Sequence, residues 1–579
     1  MTLPYALRQA HFFRDVFSGG DACAVSWAAG RPIAEVRQAF QNSWTSSELD
    51  SCLALGTWLH RQGELSRPHA LLLTRALNTM GLQTQALSIL SEPRYFDEQS
   101  WQYWLALATA LAGTDRLSEA AEALARAEAL GGDTNPRTAL FSEALGRVRR
   151  DQGGEETASL ADAISLADSF LVLDLPARAL EALGAALARS QPRSDHEIIG
   201  ALVVAQDVAR FADAELARRL EDLVRAHFRP LGLLEAEEGV PPSAAEKAPA
   251  RRSAAVGEAA AQLALALAES RQGRHQAAAA RLGPVGPRFT DEIVPGASTV
   301  RLDLARSVGR MVIDEVKPRL RAGGPRKVVD MFLFADEFSL LSIKLEEMYD
   351  WVDHFVIVEA PVTFRGDPKP LHFAENKRRF ARFADKIVHV VVDTIPDGLA
   401  DAWGRQYYQR DCGLRAVAEL CGGDDIVLVS DADEVIDRKV VESFSGPFAS
   451  LGLRYYSYFF NLELIEAPQS KWTAMLKAKY LTQIGAGYSR IAIPCYAKHH
   501  FVENAGWHFS KVRSAEELAR KFGRNSNVLR SAVDRDALSE LIAQIRVKGG
   551  LDGYVRRELG DGFPGYIARH ADDLRELIL

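Results

Sequence analysis

Three carboxylates stand within four positions at Asp431, Asp433 and Glu434. In an extended turn, residues two apart point the same way, so Asp431 and Asp433 can converge on one cation. Hard carboxylate oxygens suit Mg²⁺ or Mn²⁺, and such an ion commonly bridges one or two carboxylates to the phosphates of a substrate. The alternative is a solvated acidic turn leading into a helix. What favours chemistry is the preceding run, Ile426-Val427-Leu428-Val429-Ser430. It is too short for a helix and does not alternate, which predicts a strand buried on both faces. Functional residues of open α/β sheets sit just beyond the carboxyl ends of such strands.

The elements that must position this turn lie on both sides of it. Apolar, β-prone runs at 328–334, 354–359, 386–392 and 425–430 predict strands, and 338–349, 376–383 and 407–420 predict helices between them. Strands alternating with helices imply a parallel α/β sheet. Each strand ends near a polar residue: Asp336-Glu337, Glu359, Asp393 and the Asp431 cluster. Glu359 could touch a ligand at this rim or pair with Arg365 or Lys369. Arg410 could hold a phosphate through its planar donors or pair with Asp411. No Gly-x-Gly-x-x-Gly and no phosphate loop ending in Lys-Ser/Thr is present, which argues against a dehydrogenase or a P-loop NTPase.

The first half has a different texture. Residues 1–310 are rich in Ala, Leu, Arg and Glu, a helical composition. Trp104, Leu107, Ala108, Leu111, Ala120, Leu124 and Ala127 have the spacing of a tetratricopeptide repeat, with large residues on one helix and small ones where the second crosses it. The offsets recur at Leu73, Leu77, Ala86 and Leu90, again at Leu166, Ala167, Phe170, Ala179, Leu183 and Ala186, and more weakly at Leu265, Ala266, Ala278 and Leu282. This half resembles a degenerate tetratricopeptide array, a stacked solenoid with a concave face for a protein segment; the alternative is a generic helical bundle. Residues 236–256 read as a polar loop, 283–300 as a boundary rich in Gly and Pro, and 302–320 as a connecting helix.

Composition narrows the setting. The net charge of −8 over 579 residues argues against a general nucleic-acid binder. Five scattered cysteines without a Cys-x-x-Cys pair suit a reducing compartment. No signal peptide and no apolar run of about 20 residues is evident, so no membrane span and a cytoplasmic protein are expected.

Several ordered segments then carry a family resemblance. The run from Asp330 to Phe338, the segment Leu345-Glu-Glu-Met-Tyr-Asp, and Phe355-Val-Ile-Val-Glu-Ala-Pro-Val-Thr-Phe-Arg-Gly-Asp-Pro-Lys-Pro-Leu come first. They are followed by residues 383–392, 403–410, Ser430-Asp-Ala-Asp-Glu and Gly506-Trp-His-Phe-Ser. Together these resemble glycosyltransferase family 17, whose animal members add the bisecting N-acetylglucosamine to glycoproteins. The resemblance covers roughly 327–525. It implies a GT-A-type α/β fold over 325–529, a nucleotide-sugar donor (UDP-N-acetylglucosamine), Mn²⁺ or Mg²⁺, and inversion at the anomeric carbon. By the same resemblance Asp431 lies near the ribose or the metal, Asp433 binds the metal, and His508 is a further ligand. Glu359, Thr363, Lys369, Gln409 and Arg410 would face the donor. Glu434 would either orient the two aspartates or sit at a helix N-terminus.

An inverting transfer needs a general base for the acceptor hydroxyl. Glu463 and Glu466 are the nominees, because they follow the aromatic stretch 455–461, which is suited to stacking on sugar rings; Trp472 and Trp507 could stack as well. Residues 530–579 are expected to form a C-terminal helical extension. The acceptor would be a protein held by residues 1–310, or else a polysaccharide or lipid-linked glycan with the array used for assembly. A non-catalytic scaffold is the reading from another class.

Overall fold

The computed structural model describes residues 5–18, 20–152, 159–190, 192, 194–234, 249–285, 298–316, 320, 325–399, 401–465, 469–524, 535–560 and 562–579. The chain divides into two compact units, Met1–Asp303 and Leu304–Leu579.

The first unit is helical. Helix Ile33–Thr45 packs on Leu49–Arg61, Arg67–Thr79 on Gln83–Leu90, Trp101–Gly113 on Leu117–Ala129, and Leu160–Val172 on Pro176–Arg189. The small residues expected at helix crossings, Ala86, Ala108, Ala120, Ala127, Ala167 and Ala179, are all wholly buried. A methyl group there lets two backbones approach closely while still filling the gap. Ser47, Gly81 and Asp115 have positive φ (60°, 76° and 61°), each two residues before the second helix of its pair. These left-handed turns recur every 34 residues. The stretch read as a loop at 236–256 differs at its end, because the helix Pro249–Arg271 begins within it. Its run of alanines outweighs the helix-breaking prolines that precede it.

The second unit is built on an eight-stranded mixed sheet. In chain order its strands are β1 (Val328–Leu333), β2 (His354–Glu359), β3 (Ile387–Val391), β4 (Ile426–Asp431), β5 (Glu434–Ile436), β6 (Phe448–Tyr455), β8 (Ser470–Lys477) and β9 (Phe501–His508). Their spatial order is β3-β2-β1-β4-β8-β6-β9-β5. The four strands read from the sequence form the parallel part, and β1 lies between β2 and β4. From β4 onward the sheet turns antiparallel through β8 and β6. Burial of Val329, Met331, Val356, Val358, Val427 and Val429 on one face, and of Phe332, Phe355, Ile357, Ile426 and Leu428 on the other, accounts for the non-alternating runs.

Two helices depart from expectation. The segment 407–420 is broken into Ala402–Asp411 and Leu414–Leu420. A side chain on Gly413 would stand 2.2 Å from Met331 Sδ, so the chain passes directly against β1 here. Residues 376–383 form a short helix, His372–Asn376, continued by the tighter turns of Lys377–Phe383. The chain kinks at Phe380 (φ −111°, ψ 19°), and Phe380 and Phe383 are both buried.

The C-terminal segment packs within this second unit. Its strand β10 (Tyr554–Arg556) pairs with β7 (Leu462–Leu464), and Glu347 accepts the backbone N–H groups of Gly565 and Tyr566 at 2.9 Å each. Replacing Gly413 by Ala is expected to destabilise this unit by about 1–3 kcal/mol through overpacking against Met331. The readout is a lowered urea midpoint, and an unchanged midpoint would mean that the helix can move off β1.

Candidate active site

β4 delivers Asp431 at its last residue, and Ala432-Asp433 turns the chain into β5. β5 pairs antiparallel with β9, with Glu434 opposite His508. That register sets the imidazole beside the acidic turn, with His508 Nε2 3.6 Å from Asp433 Oδ1. Phe509 N donates to Asp433 O at 2.8 Å and fixes the same approach. Gly506 permits it, since a Cβ there would lie 2.1 Å from Val435 O.

Every carboxylate of the turn meets a cation. Asp431 Oδ1 accepts from Arg410 Nη2 at 2.7 Å, and Oδ2 from Arg490 Nη2 at 2.8 Å. Asp433 Oδ2 accepts from Lys521 Nζ at 2.7 Å, with Arg513 Nη2 at 3.8 Å. Glu434, fully buried, accepts the Asp431 N–H at 2.8 Å and faces Arg490 at 3.2 Å. Glu434 thus orients the turn from a strand rather than from a helix terminus. Burial pushes the Asp431 carboxyl up, but the guanidiniums of Arg490 and Arg410 outweigh it and hold it below the usual carboxylate range. Asp433 is likewise held well below it, since Lys521 and His508 overcome its burial. Burial would lower His508, yet the facing Asp433 raises it above an ordinary histidine.

These groups line a cavity of about 250 Å³ at the carboxyl ends of β1 and β4. Thr363, Lys369, Gln409, Asp431, Asp433 and His508 meet there, together with Asp336, Glu337, Gln406 and Lys521. Gln409 is only 3% exposed, and its Nε2 finds no hydrogen-bond partner among the described residues. His508 Nδ1 is in the same condition. Arg410 stands behind the wall, turned to Asp431 and, at 2.7 Å, to Ser430 O. Asp411 points elsewhere, accepting the N–H of Gly487 at 3.1 Å and that of Ala486, at the start of the helix that carries Arg490. Glu359 is fully buried and engaged with the N–H groups of Phe373 and Ala374, with His389 at 3.2 Å and with Lys369 at 3.7 Å.

Other nominees lie apart. Glu463 is on β7, bound to Arg557 at 2.5 Å, and does not line the cavity. Glu466 lies outside the described residues. Trp507 is buried and donates to Gly562 O at 3.2 Å, whereas Trp472 on β8 is 44% exposed. The residues that the sequence reading missed are chiefly cations: Arg490, Arg513, Lys521 and Lys344. Arg490 had a signal, being the only charge in the helix Ala486–Tyr496. Lys344 had one too, since it falls in register with Leu341, Leu345 and Met348 on the buried face of the helix Phe338–Met348.

A carboxylate-rich turn thus stands beyond an inner parallel strand and faces a polar cavity. Residues 318–549 match the model of glycosyltransferase family 17. Similar curated proteins are the human and rat β-1,4-mannosyl-glycoprotein 4-β-N-acetylglucosaminyltransferases. The human protein is 30% identical over 172 residues, covering 27% of this chain and 32% of its own. The rat protein is 32% identical over 139 residues, covering 22% and 26%. The chain therefore spans about a third or less of the length of these relatives. Among the described residues no helix is long and apolar enough to cross a membrane.

The depressed Asp431 acidity has a definite sign. A carboxyl lowered on folding stabilises the fold above its unfolded value near about 4, and this contribution is lost as pH falls toward the folded value. Asp431→Asn should therefore cost about 1–3 kcal/mol at neutral pH, the lower end reflecting its partial exposure. The cost should shrink as pH falls below about 4, where the unfolded chain's carboxyl takes up a proton that the folded one does not. Parallel urea unfolding of both proteins at pH 7 and pH 3 measures this; an equal cost at both would assign the effect to lost packing.

Proposed function

We propose that the second unit transfers a sugar, N-acetylglucosamine, from a UDP-sugar to an acceptor hydroxyl with inversion, using Mn²⁺ or Mg²⁺. The observation that carries this reading is the cavity in which Asp431, Asp433 and His508 face Lys369 and Gln409. Asp431 and Asp433 would hold such a cation through oxygens that Arg410, Arg490 and Lys521 engage in its absence. Two carboxylates and an imidazole are present, while among the described residues no three His, Cys, Asp or Glu side chains form a cage of their own. Mg²⁺ and Mn²⁺ readily take their remaining positions from phosphates and water. When bound, such a cation would offset the charge that develops on the departing diphosphate.

The protein's own groups do the rest. Lys369 and Lys521 supply cations toward the diphosphate, and the unsatisfied Gln409 amide is a ready donor to the nucleotide sugar. The base must reach the acceptor hydroxyl. Asp336 lines the cavity, where it faces Arg520 at 3.6 Å and Arg513 at 3.7 Å, whereas Glu463 lies outside it, bound to Arg557.

Asp433 is only 6% exposed and holds Lys521 and Arg513, so asparagine is a cleaner replacement than alanine. Asp433→Asn should lower transfer by at least about 100-fold while the protein stays folded, and excess chelator should do the same to the wild type. In the same assay Asp336→Asn should lower kcat with little change in KM. With Mn²⁺ present, UDP-N-acetylglucosamine should raise the melting temperature. Stabilisation by GDP- or CMP-sugars alone, or full activity in chelator, would overturn the reading.

We further infer that residues 1–310 form a tetratricopeptide-like array that presents a protein acceptor. The 34-residue recurrence of left-handed turns at Ser47, Gly81 and Asp115 supports this. Joining a binding module to a catalytic one raises the local acceptor concentration to roughly millimolar for short connections. A fragment from residue 304 onward should keep slow hydrolysis of the nucleotide sugar but lose most transfer to the protein acceptor. Equal transfer by fragment and full chain would leave assembly, with a polysaccharide or lipid-linked acceptor, as the role of the array.

A further inference from the structure

Beneath the acidic turn lies an ion pair with no access to the cavity. Lys344, on the helix Phe338–Met348, and Asp330, in the middle of β1, are both completely buried. Their charges meet at 2.9 Å. The Lys344 ammonium also donates to Ser430 Oγ at 2.9 Å, to Asp431 O at 3.2 Å and to Glu434 O at 2.6 Å. Ser430 Oγ in turn donates to Asp330 Oδ1 at 2.6 Å. One cation thus holds a backbone carbonyl on each side of Ala432-Asp433, and so closes the turn from below.

Stability alone does not explain such a pair. Two charges taken out of water at the centre of a sheet gain little over apolar residues of the same volume. What apolar residues cannot do is grip two carbonyl oxygens and fix the direction in which Asp431 and Asp433 leave the backbone. We propose that Lys344, set by Asp330 and Ser430, is the positioning residue of the site: it holds the 431–434 backbone in the one shape that presents both aspartates to the cavity. This role in ligand binding rests on the donor-site reading given above, whereas the role in shaping the turn does not.

The test removes both charges at once, since Lys344→Met alone would strand a buried carboxylate and could unfold the chain for that reason. In the Asp330→Leu, Lys344→Met double variant the melting temperature should stay close to that of the wild type. Amide exchange in peptides covering 431–436 should accelerate by about tenfold or more, while β6 and β8 stay protected. Affinity for UDP with Mn²⁺, measured by calorimetry, should fall by roughly 10–100-fold, as for other residues that orient ligands. Unchanged exchange and affinity, or a melting temperature that falls together with protection throughout the sheet, would overturn the proposal and leave the pair as packing. Should the double variant not fold, Ser430→Ala keeps both charges and removes only their bridge. Faster exchange at 431–436 would then support the positioning role, and unchanged exchange would refute it. If the wild type fails to bind UDP with Mn²⁺ while exchange at the turn still responds as expected, positioning stands and the donor reading falls.

Discussion

Like charges packed together repel, and the repulsion grows as water is excluded. Asp431, Asp433 and Glu434 crowd three negative charges onto one turn at the end of a buried strand. Much of the second unit is what holds them there. Arg410 arrives on a helix between β3 and β4, Arg490 on a helix after β8, and Arg513 and Lys521 from the chain beyond β9. Asp411, whose carboxyl burial pushes up to about 7, spends its hydrogen bonds on the start of the helix that carries Arg490. Charge balance, more than strand pairing, ties these distant segments to one point.

The same constraint explains what could be read in the sequence. β1, β2 and β4 were legible because strands buried on both faces need uninterrupted apolar residues, and the acidic exit of β4 was legible because its carboxylates are neighbours in the chain. The cations were not, since Arg490 lies 59 residues from Asp431 and Lys521 lies 88 from Asp433. No local pattern marks a partner that only folding brings near. β5, β7 and β10 are three residues each, too short to show a period. In the helical unit the reverse holds. Its alanines and leucines recur at helical spacing, and of the positions named from that spacing all but Leu107 are buried.

Glu463 shows the limit of arguing from neighbours in sequence. It follows an aromatic stretch and so seemed placed to meet a sugar. Yet Tyr456 and Phe460 of that stretch are fully buried, packed on Phe509, and Glu463 belongs to the small sheet formed with β10. Asp336 and Glu337, read as the polar end of a strand on the same rim, reach the cavity because β1 lies directly beside β4.

Lys344 grips carbonyl oxygens, and every amino acid has one. Lys344 therefore shapes the turn without touching the side chains at 431 and 433. A substitution at either aspartate leaves this grip in place, so bend and display answer to different residues.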